Sequence, residues 1–221
     1  YQGTLKYYLE NESNSNTTKT ITLLPDTAYQ TVYYQEILPK PDKISSDDDG
    51  NLIAYYNLKA NQKIDIQVKL VVKTDYLPNQ NTQEKKLEYK EATKIWNYQD
   101  NTFSVSELKN LTSPRSIYEY VSGKLKYDYQ KINRDGTVRI PASESFKNNI
   151  SAICTDYADL FVTLARKVGI PARELEGLAV SDNADLKPIA DKQDVLHAWA
   201  EYYDDTKKVW VQVDPTWGST T

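Results

Sequence analysis

Two kinds of hydrophobic spacing divide this chain. Up to about residue 76 the apolar positions alternate. Ile64, Ile66, Val68 and Leu70 are separated by Asp65, Gln67 and Lys69, the period of two that buries one face of a strand. Thr27 to Leu38 holds a second β-branched and aromatic run. A third, Leu52-Ile53-Ala54-Tyr55-Tyr56, is entered from the turn Asp47-Asp48-Asp49-Gly50-Asn51. Several short strands with polar turns predict a β-sandwich over residues 1–80. The aspartate run does not fit a calcium loop, because its glycine falls too early and no glutamate follows at the required distance. A solvated turn is the expectation.

Residues 78–90 are polar and poor in apolar positions. A linker is expected there, placed at 81–90. Helical spacing follows, and an α+β domain is expected over 91–221. Glu88 to Trp96 reads as a short amphipathic helix. Ser113-Pro114-Arg115 is a cap with proline at the first helical position. Ile117, Tyr120, Val121, Lys124 and Leu125 then fall on the i, i+3, i+4 pattern. Asn133-Arg134-Asp135-Gly136 reads as a turn. From residue 154 to 168, apolar or small residues at 154, 157, 158, 161, 164, 165 and 168 form one helical face. Gly169 and Pro171 end that helix. A strand, Ala172 to Gly177, precedes a polar loop at 181–194. Two final strands hold Val195 to Tyr203 and run up to Val213-Asp214.

The chemistry sits in this second part. Cys154 is the chain's one cysteine and His197 its one histidine. Cys154 opens a helix, where partial positive charge and unpaired N–H groups gather. A thiolate is the nucleophile of cysteine chemistry, and such a setting favours it, as does a neighbouring imidazolium. The Cys154 N–H could also hold an oxyanion. A second donor is open among Tyr118, Tyr127, Tyr157 and Trp96. For the last two strands, a four-residue loop at 204–207 would set Tyr203 opposite Lys208 and His197 opposite Asp214. His197, Trp199 and Glu201 would then face the Cys154 helix, with Trp199 walling a cleft. Thiol, imidazole and carboxylate, in that order, suggest an acyl-transfer site.

Composition narrows the alternatives. The formal net charge is −4, with no densely basic stretch, so nucleic acid is not an expected partner. One cysteine forbids an intrachain disulfide, and one histidine argues against a histidine-based metal site. No cofactor is expected. No apolar run approaches a membrane span. The chain begins at Tyr1 and contains no methionine, which reads as a fragment, with an extracytoplasmic or cell-surface setting as the expectation.

Three blocks carry a family resemblance. They are Cys154-Thr155-Asp156-Tyr157-Ala158 with Leu164 to Arg173, then His197-Ala198-Trp199-Ala200-Glu201, and Trp210-Val211-Gln212-Val213-Asp214-Pro215-Thr216-Trp217. In order and spacing they resemble the transglutaminase-like superfamily. The resemblance spans roughly residues 115–217 and implies a papain-like core, with the cysteine helix packed on an antiparallel sheet. It implies Cys154 as nucleophile, His197 as general base and acid, and Asp214 as the orienting carboxylate. Trp199, Tyr157 and Trp217 would line the substrate cleft. The family often carries a glycine just before the cysteine, where this chain has Ala152-Ile153. The implied reaction is acyl transfer from a protein or peptide amide through a cysteine thioester, ending in hydrolysis or in transfer to an amine. The alternatives are a non-catalytic protein-binding module on the same scaffold, or a surface domain whose β-sandwich does the binding.

Overall fold

The computed structural model describes residues 1–78, 88–132, 138–149, 151–179 and 195–220. The expected turn at 133–136, the loop at 181–194 and most of the linker lie outside them. Contacts divide the chain into two compact units, Tyr1–Gln83 and Glu84–Thr221.

The first unit is built from the alternating segments. β1 (Gln2–Glu10), β3 (Gln30–Leu38) and β6 (Lys63–Thr74) form one antiparallel sheet in the order β1-β6-β3. β2 (Thr17–Leu23), β4 (Lys43–Ser46) and β5 (Leu52–Leu58) form a second, in the order β2-β5-β4. The period of two in β6 has the expected result, with Ile66, Val68 and Leu70 buried. They share one core with Ile21 and Leu23 from β2 and Ala54, Tyr56 and Leu58 from β5. Two sheets burying facing sides of alternating strands make a β-sandwich. The aspartate run closes the β4–β5 hairpin. Asp47 Oδ1 accepts from the N–H groups of Asp49 and Asn51, its Oδ2 accepts from Asn51 Nδ2, and Gly50 takes φ 86°. The Asn51 side-chain bond, reinforced by the backbone N–H bonds of the turn, holds this carboxyl below its usual range. The turn's own groups therefore occupy the carboxylate.

The second unit is centred on one helix. α1 (Pro114–Lys124) starts as expected, with Ser113 as N-cap and a reciprocal bond through Ser116; Ile117 and Val121 are fully buried. α2 (Tyr129–Ile132) and α3 (Ala142–Lys147) are short. α4 (Cys154–Lys167) is the cysteine helix, ended at Gly169 by φ 81°. β7 (Ala172–Ala179), β8 (Val195–Asp204) and β9 (Val209–Val213) form an antiparallel sheet in that order, and α5 (Pro215–Thr220) follows. The expected helix over Glu88–Trp96 is only a 3-10 turn at Glu88–Lys90. Two more such turns span Asn101–Ser104 and Ser106–Leu108. Their inward residues, Tyr89, Phe103 and Leu108, are buried, but one turn is too short to carry a helical period.

α4 corrects a second expectation. One apolar face was predicted, yet Asp156 to Arg166 are all buried. The sheet covers one side, through Ala200, Tyr202 and Val213, and α1 and α3 cover the other, through Ile117, Val121, Ala142 and Phe146. The polar residues on the helix keep their place by pairing inside. Asp159 accepts from Trp96 Nε1 at 2.6 Å and from Arg139 Nε at 2.9 Å. Arg166 donates to the carbonyls of Ala172 and Glu91 and lies over the Trp96 ring. Among the described residues, no helix is long and apolar enough to cross a membrane.

Candidate active site

The start of α4 sets the thiol. Ile153, its N-cap, has extended backbone (φ −120°, ψ 178°) and supplies no side-chain cap. Any residue adopts that conformation, so this chain needs no glycine there. Asp156 fixes the start from within. Its Oδ2 accepts the Ile153 N–H at 2.8 Å and Lys131 Nζ at 2.7 Å, and its Oδ1 accepts Ser145 Oγ at 2.5 Å. Sequence reasoning missed this anchor. A carboxylate three residues after a cap is a readable half of a capping box, but Lys131 and Ser145 come from elsewhere in the chain. The first-turn N–H groups, that of Cys154 included, are left without a side-chain cap.

β8 sets the imidazole. His197 is buried, at 6% exposure. Its Nε2–H donates to Asp214 Oδ2 at 2.6 Å. A carboxylate can only accept, so that proton sits on Nε2 and Nδ1 is the remaining ring nitrogen. The Cys154 side chain lies near enough to the ring to act on its titration. Burial alone would lower the imidazole pKa. The bond to Asp214, with the nearby Cys154 side chain, outweighs it and raises the value to about 9.

Asp214 arrives by a different route from the one expected. β9 pairs with β8 as Asp204↔Val209, Tyr203↔Trp210 and Ala200↔Val213. The loop is therefore 205–208, and the register is displaced by two residues from the expected one. The Asp204 side chain accepts the N–H groups of Thr206 and Lys207, and Lys208 takes φ 59°. A shift of two keeps every side chain on its face, so Asp214 still lies on the side of His197. It sits one residue past β9, where Oδ1 caps α5 by accepting Thr216 N–H at 3.0 Å.

The face of β8 turned to α4 is also corrected. Ala198, in contact with Cys154 and Ala158, and Ala200 with Tyr202 pack on the helix. Alanine lets the helix approach closely, whereas Trp199 and Glu201 are too large for that side. Trp199 lies instead over Gly177, where an added Cβ would stand 2.7 Å from its ring. Its ring centroid is 6.1 Å from that of His197. Glu201 pairs with Arg173 at 2.5 Å. Trp217, on α5, stacks on the imidazole at 5.5 Å and 15°. Tyr157 has no exposed surface and belongs to the hydrophobic core, so it does not line an open cleft.

A thiol at an uncapped helix start, a buried imidazole beside it, and a carboxylate on the far ring nitrogen define a thiol-enzyme scaffold of α+β build. The description "Transglutaminase-like superfamily" matches residues 99–215, just over half of the chain. The chain belongs to that superfamily. No curated protein sequence matches it. Among solved structures, a candidate cysteine protease from Cytophaga hutchinsonii superposes with a TM-score of 0.67 at 16% identity, over 98% of this chain and 78% of the other. The periplasmic domain of TgpA from Pseudomonas aeruginosa gives a TM-score of 0.48 at 15% identity, over 95% of this chain and 72% of the other. The first of these likenesses shows a shared fold, with a β-rich N-terminal part before the core.

Proposed function

We propose that this protein is a thiol acyl-transfer enzyme acting on protein or peptide amides. Cys154 is the nucleophile, His197 the general base and acid, and Asp214 the carboxylate that orients the imidazole. The observation that supports this reading is the buried His197 imidazole bonded to Asp214 at 2.6 Å, with the Cys154 side chain near enough to raise its pKa. An imidazolium stabilised to about pH 9 can hold an ion pair with a thiolate and then protonate a leaving amine. Trp217 stacks on the imidazole that makes the His197–Asp214 bond. The acyl group passes to Cys154 as a thioester. Water then releases it as an acid, or a primary amine takes it as a new amide.

The test is incubation with casein, with and without a dansylated primary amine. Released peptides show hydrolysis, and fluorescent casein shows amine transfer. Either product, lost in Cys154→Ala, supports the reading. Neither product, together with Cys154 alkylating no faster than free cysteine, would overturn it.

A further inference from the structure

We propose that the Tyr127 hydroxyl is the second donor of the oxyanion hole, facing the same oxygen as the Cys154 N–H. The proposal rests on the acyl-transfer reading above. Attack of the Cys154 thiolate forms a C–S bond and moves the carbonyl π pair onto oxygen. That oxyanion needs donors already in place. When the carbonyl re-forms, the leaving group departs, and for an amide its nitrogen takes the proton of the His197 imidazolium.

The chain brings Tyr127 to the thiol. Tyr127 forms an isolated parallel bridge with Ala152, two residues before Cys154. The bridge is fixed by Asp128 N–H donating to the Ala152 carbonyl at 2.8 Å and Ala152 N–H donating to the Lys126 carbonyl at 3.1 Å. The ring is held 4.9 Å from that of Tyr129 and 6.2 Å from that of Tyr157, in the first turn of α4. Its hydroxyl is buried and has no hydrogen-bond partner among the described residues. Buried hydroxyls are nearly always paired, so one left open beside a nucleophile fits a partner that arrives with the substrate.

The competing donors are placed elsewhere. Trp96 Nε1 already donates to Asp159. The Tyr118 hydroxyl lies against Gly218 of α5. Tyr157 is enclosed in the core. Trp199 Nε1 is also buried and unpartnered, but its ring lies over Gly177, whereas Tyr127 is bridged to Ala152, two residues before the thiol, and feels the charge of Cys154. Electrostatics agree with the choice. Burial, and then negative charge on Cys154, Tyr129, Tyr157 and Asp214, raise the Tyr127 phenol above its ordinary value. It stays protonated, and so remains a donor, while a thiolate is present.

Two reactions of the thiol separate this role from any other. Alkylation by iodoacetamide displaces iodide at a tetrahedral carbon and makes no oxyanion. Acylation by p-nitrophenyl acetate passes through one and releases p-nitrophenolate. In Tyr127→Phe, alkylation of Cys154 should match wild type, while single-turnover acylation should slow by about 100-fold, the usual effect of one lost donor. The melting temperature should not fall, because the hydroxyl has no partner to lose. Acylation within about threefold of wild type would overturn the proposal. So would a parallel slowing of both reactions, which would place the hydroxyl on the thiolate, or a drop in melting temperature, which would give it a structural partner. If wild-type Cys154 alkylates no faster than free cysteine, the acyl-transfer reading itself fails, and that failure is distinct from the others.

Discussion

At the scale of single residues, the proposed acyl transfer depends on one thiol, one imidazole and one carboxylate. Cys154→Ala should abolish acyl transfer. Alanine suits a helix start and fills most of the same buried space, so stability should change by only about 1 kcal/mol; urea unfolding beside an activity assay checks both. Asp214→Asn keeps a hydrogen-bonding group near His197 but removes the charge that stabilises imidazolium. The corresponding loss in a serine triad is about four orders of magnitude in rate. A smaller loss is expected here, because a thiolate forms more readily than an alkoxide. The pH dependence follows from His197. Its folded pKa is raised from 6.5 to about 9, so its contribution to stability is complete below about 6.5 and is lost as pH rises through about 9. Acyl transfer should fall over the same alkaline limb, since a neutral imidazole cannot protonate the leaving amine. A rate profile that stays flat past pH 10 would contradict the assigned pairing.

At the scale of elements, α4 is the part that most needs its neighbours. Asp156 is 5% exposed and joins the helix start to Lys131, Ser145 and the Ile153 N–H. Asp156→Ala removes all three bonds and takes its carboxylate from the shielded Lys131 ammonium, which keeps its bond to the Ser151 carbonyl. A loss of about 2–4 kcal/mol is expected, read by chemical denaturation, with slower alkylation of Cys154 as the helix start loosens. The sequence showed α4 and its ends plainly, because cysteine, the apolar stripe and Gly169 all agree. It did not show that Asp159, Thr163 and Arg166 are buried too. Charged residues read as a solvated face unless their partners, here Trp96, Arg139, Glu91 and Ala172, are known. The β8–β9 register was misplaced by two for a similar reason. Lysine carries no signal for the left-handed conformation that Lys208 adopts, and the bracing by Asp204 depends on that turn being formed. The His197–Asp214 pairing remained legible because an even shift preserves faces.

At the scale of the molecule, the change from period two to period 3.6 near residue 80 follows two kinds of core. One is closed by β strands alone, and the other is wrapped around a helix. We propose that the two units are independent domains joined through residues 81–90. Limited proteolysis should then cut first between residues 78 and 90, leaving a fragment that keeps Cys154 reactive toward iodoacetamide. A first cut within 150–175 would place the boundary elsewhere. The short helices and 3-10 turns between 88 and 147 were the least legible part of the fold. Each is too brief to show a period, and residues such as Phe103 and Leu108 are placed by the core they fill.

The carboxylate of Asp214 answers to two masters: Oδ2 steadies the imidazole and Oδ1 begins α5. That six-residue helix also carries the indole lying on His197. Unravelling it would release the carboxylate and uncover the ring in a single event, while α4 and its core stayed folded. Heat should therefore silence this protein before it melts it. Residual turnover after stepwise warming should decline at a lower temperature than the loss of near-ultraviolet circular dichroism, and should return on cooling, since local openings of this kind are reversible.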